Sequence, residues 1–301
     1  MLQMNYLQKR FGQAVQYLPP RFRGKVMQIE DTVKAEAEEF RLRAGQSLTI
    51  STPRREVDVP TESPVRHEEL NTVLDIATGG SIHSAAESMK NGFVTVSGGH
   101  RIGICGTAVV KMGEVSFIKE ISSVAIRIAK EFPGVADPVL PEILAGGAFR
   151  NTLIVSPPGC GKTTMLRDLI RLLGKDHRVS IADERGEIAA KYRGVPQFDV
   201  GRHTDVMEGV SKASAMMLML RSMSPQILAA DEITAEEDIR AIACACNCGV
   251  GLIATAHGED ISSLQGRPLY RKLMELGIFE VAVVLEKKNG VHTYQIHALE
   301  T

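Results

Sequence analysis

Residues 151–173 constrain the fold more than any other stretch of the 301-residue chain. An apolar strand candidate, Asn151 to Val155, runs through Ser156-Pro157-Pro158-Gly159-Cys160-Gly161-Lys162-Thr163-Thr164 into an amphipathic helix candidate, Lys162 to Leu173. Strand, glycine-rich turn and helix in that order are the context that gives a Gly-Lys-Thr segment chemical meaning. Glycines at 159 and 161 reach dihedrals closed to other residues, so successive backbone N–H groups can converge on phosphate oxygens. The helix then directs its unpaired N–H groups and the positive end of its dipole at the same anion. Pro158, Gly159, Cys160, Gly161, Lys162, Thr163 and Thr164 are therefore the candidate nucleotide-binding residues, a Walker A element. Lys162 is the mobile charge for the β- and γ-phosphates and Thr163 a hydroxyl ligand for Mg²⁺. The usual first glycine is Ser156 here, which costs energy only if that position needs a positive φ. The plainer alternative is a glycine-rich turn with a chance Lys-Thr.

Phosphoryl chemistry also requires carboxylates. Ile227-Leu228-Ala229-Ala230-Asp231-Glu232 is a short apolar run ending in two acids, the form of a buried central strand that delivers them to the carboxyl edge of a sheet. Asp231 is the candidate Mg²⁺ ligand, through the ion's water shell, and Glu232 the candidate base for the attacking water, a Walker B element. The competing interpretation is an acidic pair capping the next helix. Ile181-Ala182-Asp183-Glu184 ends another strand in the same fashion, so Glu184 is a second candidate for positioning metal or water, against an ordinary charged loop. Thr255-Ala256-His257 closes a third strand, where His257 could sense the γ-phosphate through a hydrogen bond, against a loop histidine with no role.

Along the chain, the opening segment to about Glu39 reads helical with a break at Pro19-Pro20. Phe40 to Arg43, Leu48 to Ile50 and Phe93 to Val96 alternate as strands, with Gly98-Gly99 and Gly106 as turns between them. Glu68 to Ala77 and His83 to Lys90 are short helix candidates. A run rich in Pro and Gly from Phe132 to Gly147 separates this half from the next. Beyond the phosphate loop the order is strand Val179 to Ala182, helix Glu208 to Met223, strand Ile227 to Ala230, helix Ala235 to Cys246 and strand Gly251 to Thr255. Such alternation predicts a parallel sheet covered on both faces. The expected architecture is α/β: a P-loop NTPase domain with a parallel sheet over 136–301, whose RecA-like form is what the family resemblance given below implies, preceded by a smaller α+β domain with a leading helical segment over 1–135.

Composition narrows the partners. With 35 basic and 36 acidic residues, the overall charge gives no hint of a nucleic-acid or anionic-membrane partner. The basic and aromatic residues between Tyr6 and Lys25 fit a solvated amphipathic helix. Five cysteines, an odd number without a secretory leader before them, predict reduced thiols in a cytoplasmic protein. Cys244, Cys246 and Cys248 end a helix, where alternate residues diverge, and have no second pair to complete a zinc site. No apolar run approaches the length of a membrane-spanning helix.

Several segments outside any generic ATPase motif resemble the stage III sporulation protein AA family, related to the type II and type IV secretion ATPases. They include Phe40-Arg41-Leu42-Arg43, Gly98-Gly99-His100-Arg101-Ile102-Gly103, Ile126-Arg127-Ile128-Ala129, Ala182-Asp183-Glu184-Arg185, Leu220 to Pro225 and Thr255-Ala256-His257-Gly258. The resemblance spans nearly the whole chain. It implies an ATP- and Mg²⁺-dependent motor of endospore-forming bacteria, acting on the mother-cell side at the channel that links mother cell and forespore. It also implies hexameric rings, membrane channel proteins as partners, and ATP held between the two domains. Arg101 and Arg127 carry over as the arginines that offset γ-phosphate charge, with Arg185 and Arg221 behind them; an ordinary ion pair is the alternative for each. In the secretion relatives the residue before the catalytic glutamate is often glycine, whereas Asp231 occupies it here.

Two other functions compete. A nucleotide-dependent nucleic-acid binding protein or motor would need basic and stacking residues together along a groove, and the near-neutral charge argues against one. A small-molecule kinase would carry an arginine-dense lid after the central strand, and none is visible. No guanine-reading Asn-Lys-x-Asp segment is present either, so adenine is the default base.

Overall fold

The computed structural model describes residues 2–80, 92–288 and 291–299. Two compact units emerge, one of residues 1–130 with 191–197 and one of residues 131–190 with 198–301.

In the first unit the opening segment forms helices Leu2–Val15, Pro20–Met27 and Asp31–Glu36. Pro20 occupies the first turn of its helix, where a missing N–H costs nothing. A six-stranded sheet follows in the order β3-β2-β1-β6-β5-β4, built from β1 (Glu39–Arg43), β2 (Thr49–Ser51), β3 (Glu56–Asp58), β4 (Phe93–Thr95), β5 (Arg101–Lys111) and β6 (Glu114–Arg127). All its pairings are antiparallel. Alternation along β1 buries Phe40 and Leu42 on one face and leaves Glu39, Arg41 and Arg43 on the other. The buried face meets the first helix through an edge-to-face contact of Phe11 with Phe40, centroids 5.1 Å apart. Helix His67–Thr78 covers the same core with Leu70, Val73 and Leu74. The helix candidate His83 to Lys90 lies outside the described residues.

Gly106 corrects one sequence expectation. It is not a turn but an interior residue of β5, at a register shift between Cys105 and Thr107. A Cβ there would stand 2.6 Å from the Lys119 carbonyl oxygen, so glycine serves close approach of two strands rather than a reversal.

The second unit is a seven-stranded sheet in the order β13-β12-β7-β11-β10-β8-β9. Its strands are β7 (Thr152–Ser156), β8 (Val179–Ala182), β9 (Thr204–Met207), β10 (Ile227–Ala230), β11 (Gly251–His257), β12 (Val281–Lys288) and β13 (Val291–Ala298). Every pairing is parallel except that of β13 with β12. β7, β8 and β10 are buried at every position, as parallel strands covered on both faces must be. Two apolar clusters fill those faces, one with Met216, Ile239 and Ile242 and the other with Leu166, Leu169 and Leu173. The helix expected from Glu208 begins at Lys212, because Ser211 caps it and accepts from the Ser214 N–H, while Thr204–Met207 forms β9. Strands β9, β12 and β13 were not expected from the sequence.

Candidate active site

Parallel strands end on the same side of a sheet, so β7, β11, β10 and β8 bring their carboxyl ends to one edge. Ser156 pairs in register with His257, and Ala230, just before Asp231, pairs with Ala254 and Ala182. β11 lies between β7 and β10, so the strand ends carrying the phosphate loop and the acids stand roughly 10 Å apart, two strand spacings. Side chains from the loop and from His257 bridge that gap.

Ser156 is the last residue of β7 and is not among the residues with positive φ, so serine replaces the usual glycine there without backbone strain. The loop instead uses positive φ at Gly159 (75°) and Gly161 (95°), the second being the N-cap of helix Lys162–Leu173. Five residues of that helix, Met165, Leu166, Leu169, Ile170 and Leu173, repeat at helical spacing and bury against the sheet, which fixes the direction of its amino end.

Lys162, Thr163, Asp231, Glu232 and His257, all singled out by sequence, meet at this edge. The Thr163 hydroxyl donates to Asp231 Oδ2 at 3.3 Å. Asp231 Oδ1 accepts from the Thr255 hydroxyl at 2.8 Å and from the Glu232 N–H at 3.0 Å, and the same Thr255 oxygen accepts from the Glu232 N–H at 2.9 Å. Lys162 Nζ lies 2.9 Å from His257 Nδ1, and His257 Nε2 lies 2.9 Å from Glu232 Oε1. An ammonium has no lone pair, so Nδ1 must accept; Nε2 then carries the proton and donates to the carboxylate. Burial pushes the Lys162 ammonium below its usual range, against the pull of Glu232 and Asp231. A hydroxyl and a carboxylate oxygen side by side form a hard-oxygen donor set of the kind Mg²⁺ takes beside phosphate.

Glu184 is drawn elsewhere. Its carboxylate pairs with buried Lys212 at 2.8 Å, and although burial raises its pKa, the Lys212 hydrogen bond and charge outweigh that and hold it low. The preceding acid, Asp183, is buried and accepts the N–H groups of Glu187, Ile188 and Ala189, which shapes the loop after β8; burial still pushes its pKa up. Arg185 reaches Glu232 at 3.9 Å. Arg221 is exposed in the last turn of helix Lys212–Ser222. Arg101 and Arg127 belong to the sheet of the first unit, facing each other in register on β5 and β6. There Arg127 pairs with Glu39 at 3.4 Å and the Arg101 guanidinium lies over the Phe93 ring at 4.1 Å.

Three residues at this edge have no role assigned from the sequence. Thr255 ties Asp231 to Glu232. The Tyr270 hydroxyl donates to the Ile233 carbonyl at 3.0 Å and accepts from the His257 N–H at 3.2 Å, linking the ends of β10 and β11. Arg267 donates to the His257 carbonyl at 2.9 Å. A β-branched hydroxyl residue two before His257 was the only available signal for Thr255, and nothing local marks the other two.

The arrangement gathers a lysine, a hydroxyl, two carboxylates and an imidazole at one sheet edge, and comparison with known proteins bears on the fold. The profile of the family described as Sporulation stage III, protein AA matches residues 8–296. The chain is 36% identical over 288 residues to Stage III sporulation protein AA of Bacillus subtilis, covering 94% of this chain and 93% of that protein. It is 29% identical over 158 residues to the uncharacterized protein ycf45 of Cyanidium caldarium, 51% of this chain and 46% of that one. Among solved structures, the pilus retraction motor PilT with bound ADP superposes with a TM-score of 0.60 at 17% identity, covering 88% of this chain and 80% of that one. The Legionella pneumophila ATPase DotB gives 0.58 at 15% identity, covering 90% and 78%. At these identities the structural likeness shows the fold alone, the RecA-like α/β architecture that the chain shares with PilT and DotB. With the family profile spanning nearly its whole length, the chain belongs to the stage III sporulation protein AA family.

Proposed function

We propose that the chain is a Mg²⁺-dependent ATP hydrolase that works as a motor subunit in sporulation. The observation that supports this best is the meeting of Lys162, Thr163, Asp231, Glu232 and His257 at one sheet edge, within direct hydrogen-bonding reach of one another. In this proposal the backbone amides of Pro158 to Thr164 wrap the phosphates and Lys162 neutralises charge on the terminal one. Thr163 and Asp231 would hold Mg²⁺, which when bound would offset the negative charge of the phosphates. Glu232 accepts the proton of the attacking water, and His257 holds that carboxylate by its Nε2–H. Arg101 and Arg127 are assigned the charge-offsetting role by resemblance alone. We also propose that copies of the chain assemble into a ring, probed by mass measurement, and deliver work to membrane channel proteins between mother cell and forespore. Among the described residues no helix is long and apolar enough to cross a membrane, so contact with a membrane would run through a partner or a surface.

The test is a paired measurement of nucleotide binding and phosphate release on the full chain. Lys162→Ala should weaken MgATP binding. Glu232→Gln should keep binding and lose about 10²-fold or more of turnover, the scale of a lost general base. Unchanged hydrolysis in Glu232→Gln would remove Glu232 from the mechanism, and absent MgATP binding by the unaltered chain would end the proposal.

A further inference from the structure

A cavity of about 500 Å³ opens beside the phosphate loop within the second unit. Gly161 and Thr164 form one side of it, at the start of the helix that follows the loop. Its other walls are mostly apolar, with Phe132 and Val135 from the segment before β7, Met165 from the helix and Leu285 from β12, while β13 adds Tyr294 beside the polar His292 and Thr293. Among the described residues no Asp, Glu, Lys or Arg lines it. A charged molecule would enter without compensation, whereas a neutral, flat, largely apolar group would exchange water for carbon contacts.

One wall is tied to the helix that follows the loop and the other to the loop itself. Asp168, buried on that helix, accepts the N–H groups of Gly134 and Ala136 through Oδ2 at 2.9 and 2.8 Å, which holds Val135 between them at the cavity. On the opposite side His292 Nδ1 lies 3.2 Å from the Cys160 carbonyl oxygen, so β13 is anchored to the loop itself, with Tyr294 two residues further on the same face of the strand. A carbonyl only accepts, so His292 donates from Nδ1. The cavity is thus shaped in advance, and a base inserted there would not need to order its walls.

Building on the proposed nucleotide site, we infer that this cavity is the nucleoside subsite and that β13, through Tyr294 and His292, is the element that sets affinity for the base. The base binds by apolar contact and by packing on the Tyr294 ring. Affinity gained that way follows buried area, so a purine binds more tightly than a pyrimidine.

Equilibrium binding of Mg-tripolyphosphate, MgATP and MgCTP to the full chain separates the base from the phosphates. MgATP should bind at least about tenfold more tightly than Mg-tripolyphosphate, and more tightly than MgCTP, the scale of one base packed on an aromatic ring. Tyr294 is part-exposed, so Tyr294→Ala should fold, as its melting temperature would verify. That variant should lose about tenfold in MgATP affinity with tripolyphosphate affinity unchanged, and Tyr294→Phe should restore it. Tripolyphosphate binding as tightly as MgATP, or an unaltered MgATP to tripolyphosphate ratio in Tyr294→Ala, would overturn the subsite while leaving the phosphate loop intact. Failure of both tripolyphosphate and MgATP to bind would instead bring down the nucleotide proposal, and the subsite with it.

Discussion

His257 Nδ1 accepts a hydrogen bond from the Lys162 ammonium at 2.9 Å, and the opposite nitrogen of the same ring faces Glu232 at 2.9 Å. One imidazole therefore joins the residue proposed to hold the terminal phosphate to the residue proposed to activate water. The Lys162 ammonium has three N–H donors, so a phosphate bound there would share it with His257, whose other nitrogen faces Glu232.

His257→Ala should therefore lower kcat more than it raises the KM for ATP. The loop and Lys162 would still bind phosphate, but Glu232 would lose the donor that orients it. A fall of about 10²-fold in kcat is expected, on the scale of a mispositioned catalytic group. Steady-state kinetics over a range of MgATP concentrations would check it, and a change in KM alone would show that the ring only assists binding.

The two candidate carboxylates should separate clearly. Glu184 is bound to Lys212 and Glu232 to His257, so only the second is held beside the loop lysine. Glu184→Gln is expected to lose less than about tenfold in kcat, since the contact it breaks is a part-exposed ion pair worth roughly 1 kcal/mol or less after solvent screening. A loss in Glu184→Gln equal to that in Glu232→Gln would move Glu184 into the catalytic set.

Tyr270→Phe removes one hydroxyl that serves both the Ile233 carbonyl and the His257 N–H. The residue is buried, so two backbone groups would lose their partner, at a cost of about 1–3 kcal/mol. Lower thermal stability together with reduced turnover is expected. A variant with normal stability and normal kcat would mean that the link between β10 and β11 is immaterial.

His100 gives the first unit a pH dependence. It is buried, its Nδ1 accepts from the Ala129 N–H at 3.1 Å, and burial, reinforced by the Arg10 charge, lowers its pKa from 6.5 to about 3. The folded state thus binds fewer protons than the unfolded state between those values. The stabilisation is complete above about pH 6.5 and is lost progressively as pH falls toward about 3. Between pH 7 and 5 the loss should approach about 2 kcal/mol. His100→Asn, which keeps an acceptor near the Nδ1 position but cannot be protonated, should flatten that slope. Urea midpoints at the two pH values would decide, and equal slopes in both proteins would show that His100 is not the group responsible.

The sequence by itself determined the local pieces. Val179–Ala182, Ile227–Ala230 and the helix Lys162–Leu173 were read at the residues where they occur, because a buried parallel strand and an amphipathic helix are encoded in contiguous apolar spacing. The phosphate loop was legible for the same reason, since its conformation depends on glycines within a few residues of one another. Tertiary structure decided which pieces became neighbours. The placement of β11 between β7 and β10 puts His257 against both Lys162 and Glu232, and strand order depends on packing among segments far apart in the chain. Packing also chose Lys212 as the partner of Glu184, made Gly106 a close-approach residue, and recruited Tyr270 to His257. β13, with exposed residues along most of its length, carries weak periodicity and is not legible in the sequence, yet its pairing with β12 is what carries Tyr294 to the cavity beside the loop. Side chains that act through such long-range contacts leave no mark on their immediate neighbours, because the energy that selects them is gained only when the sheet is assembled.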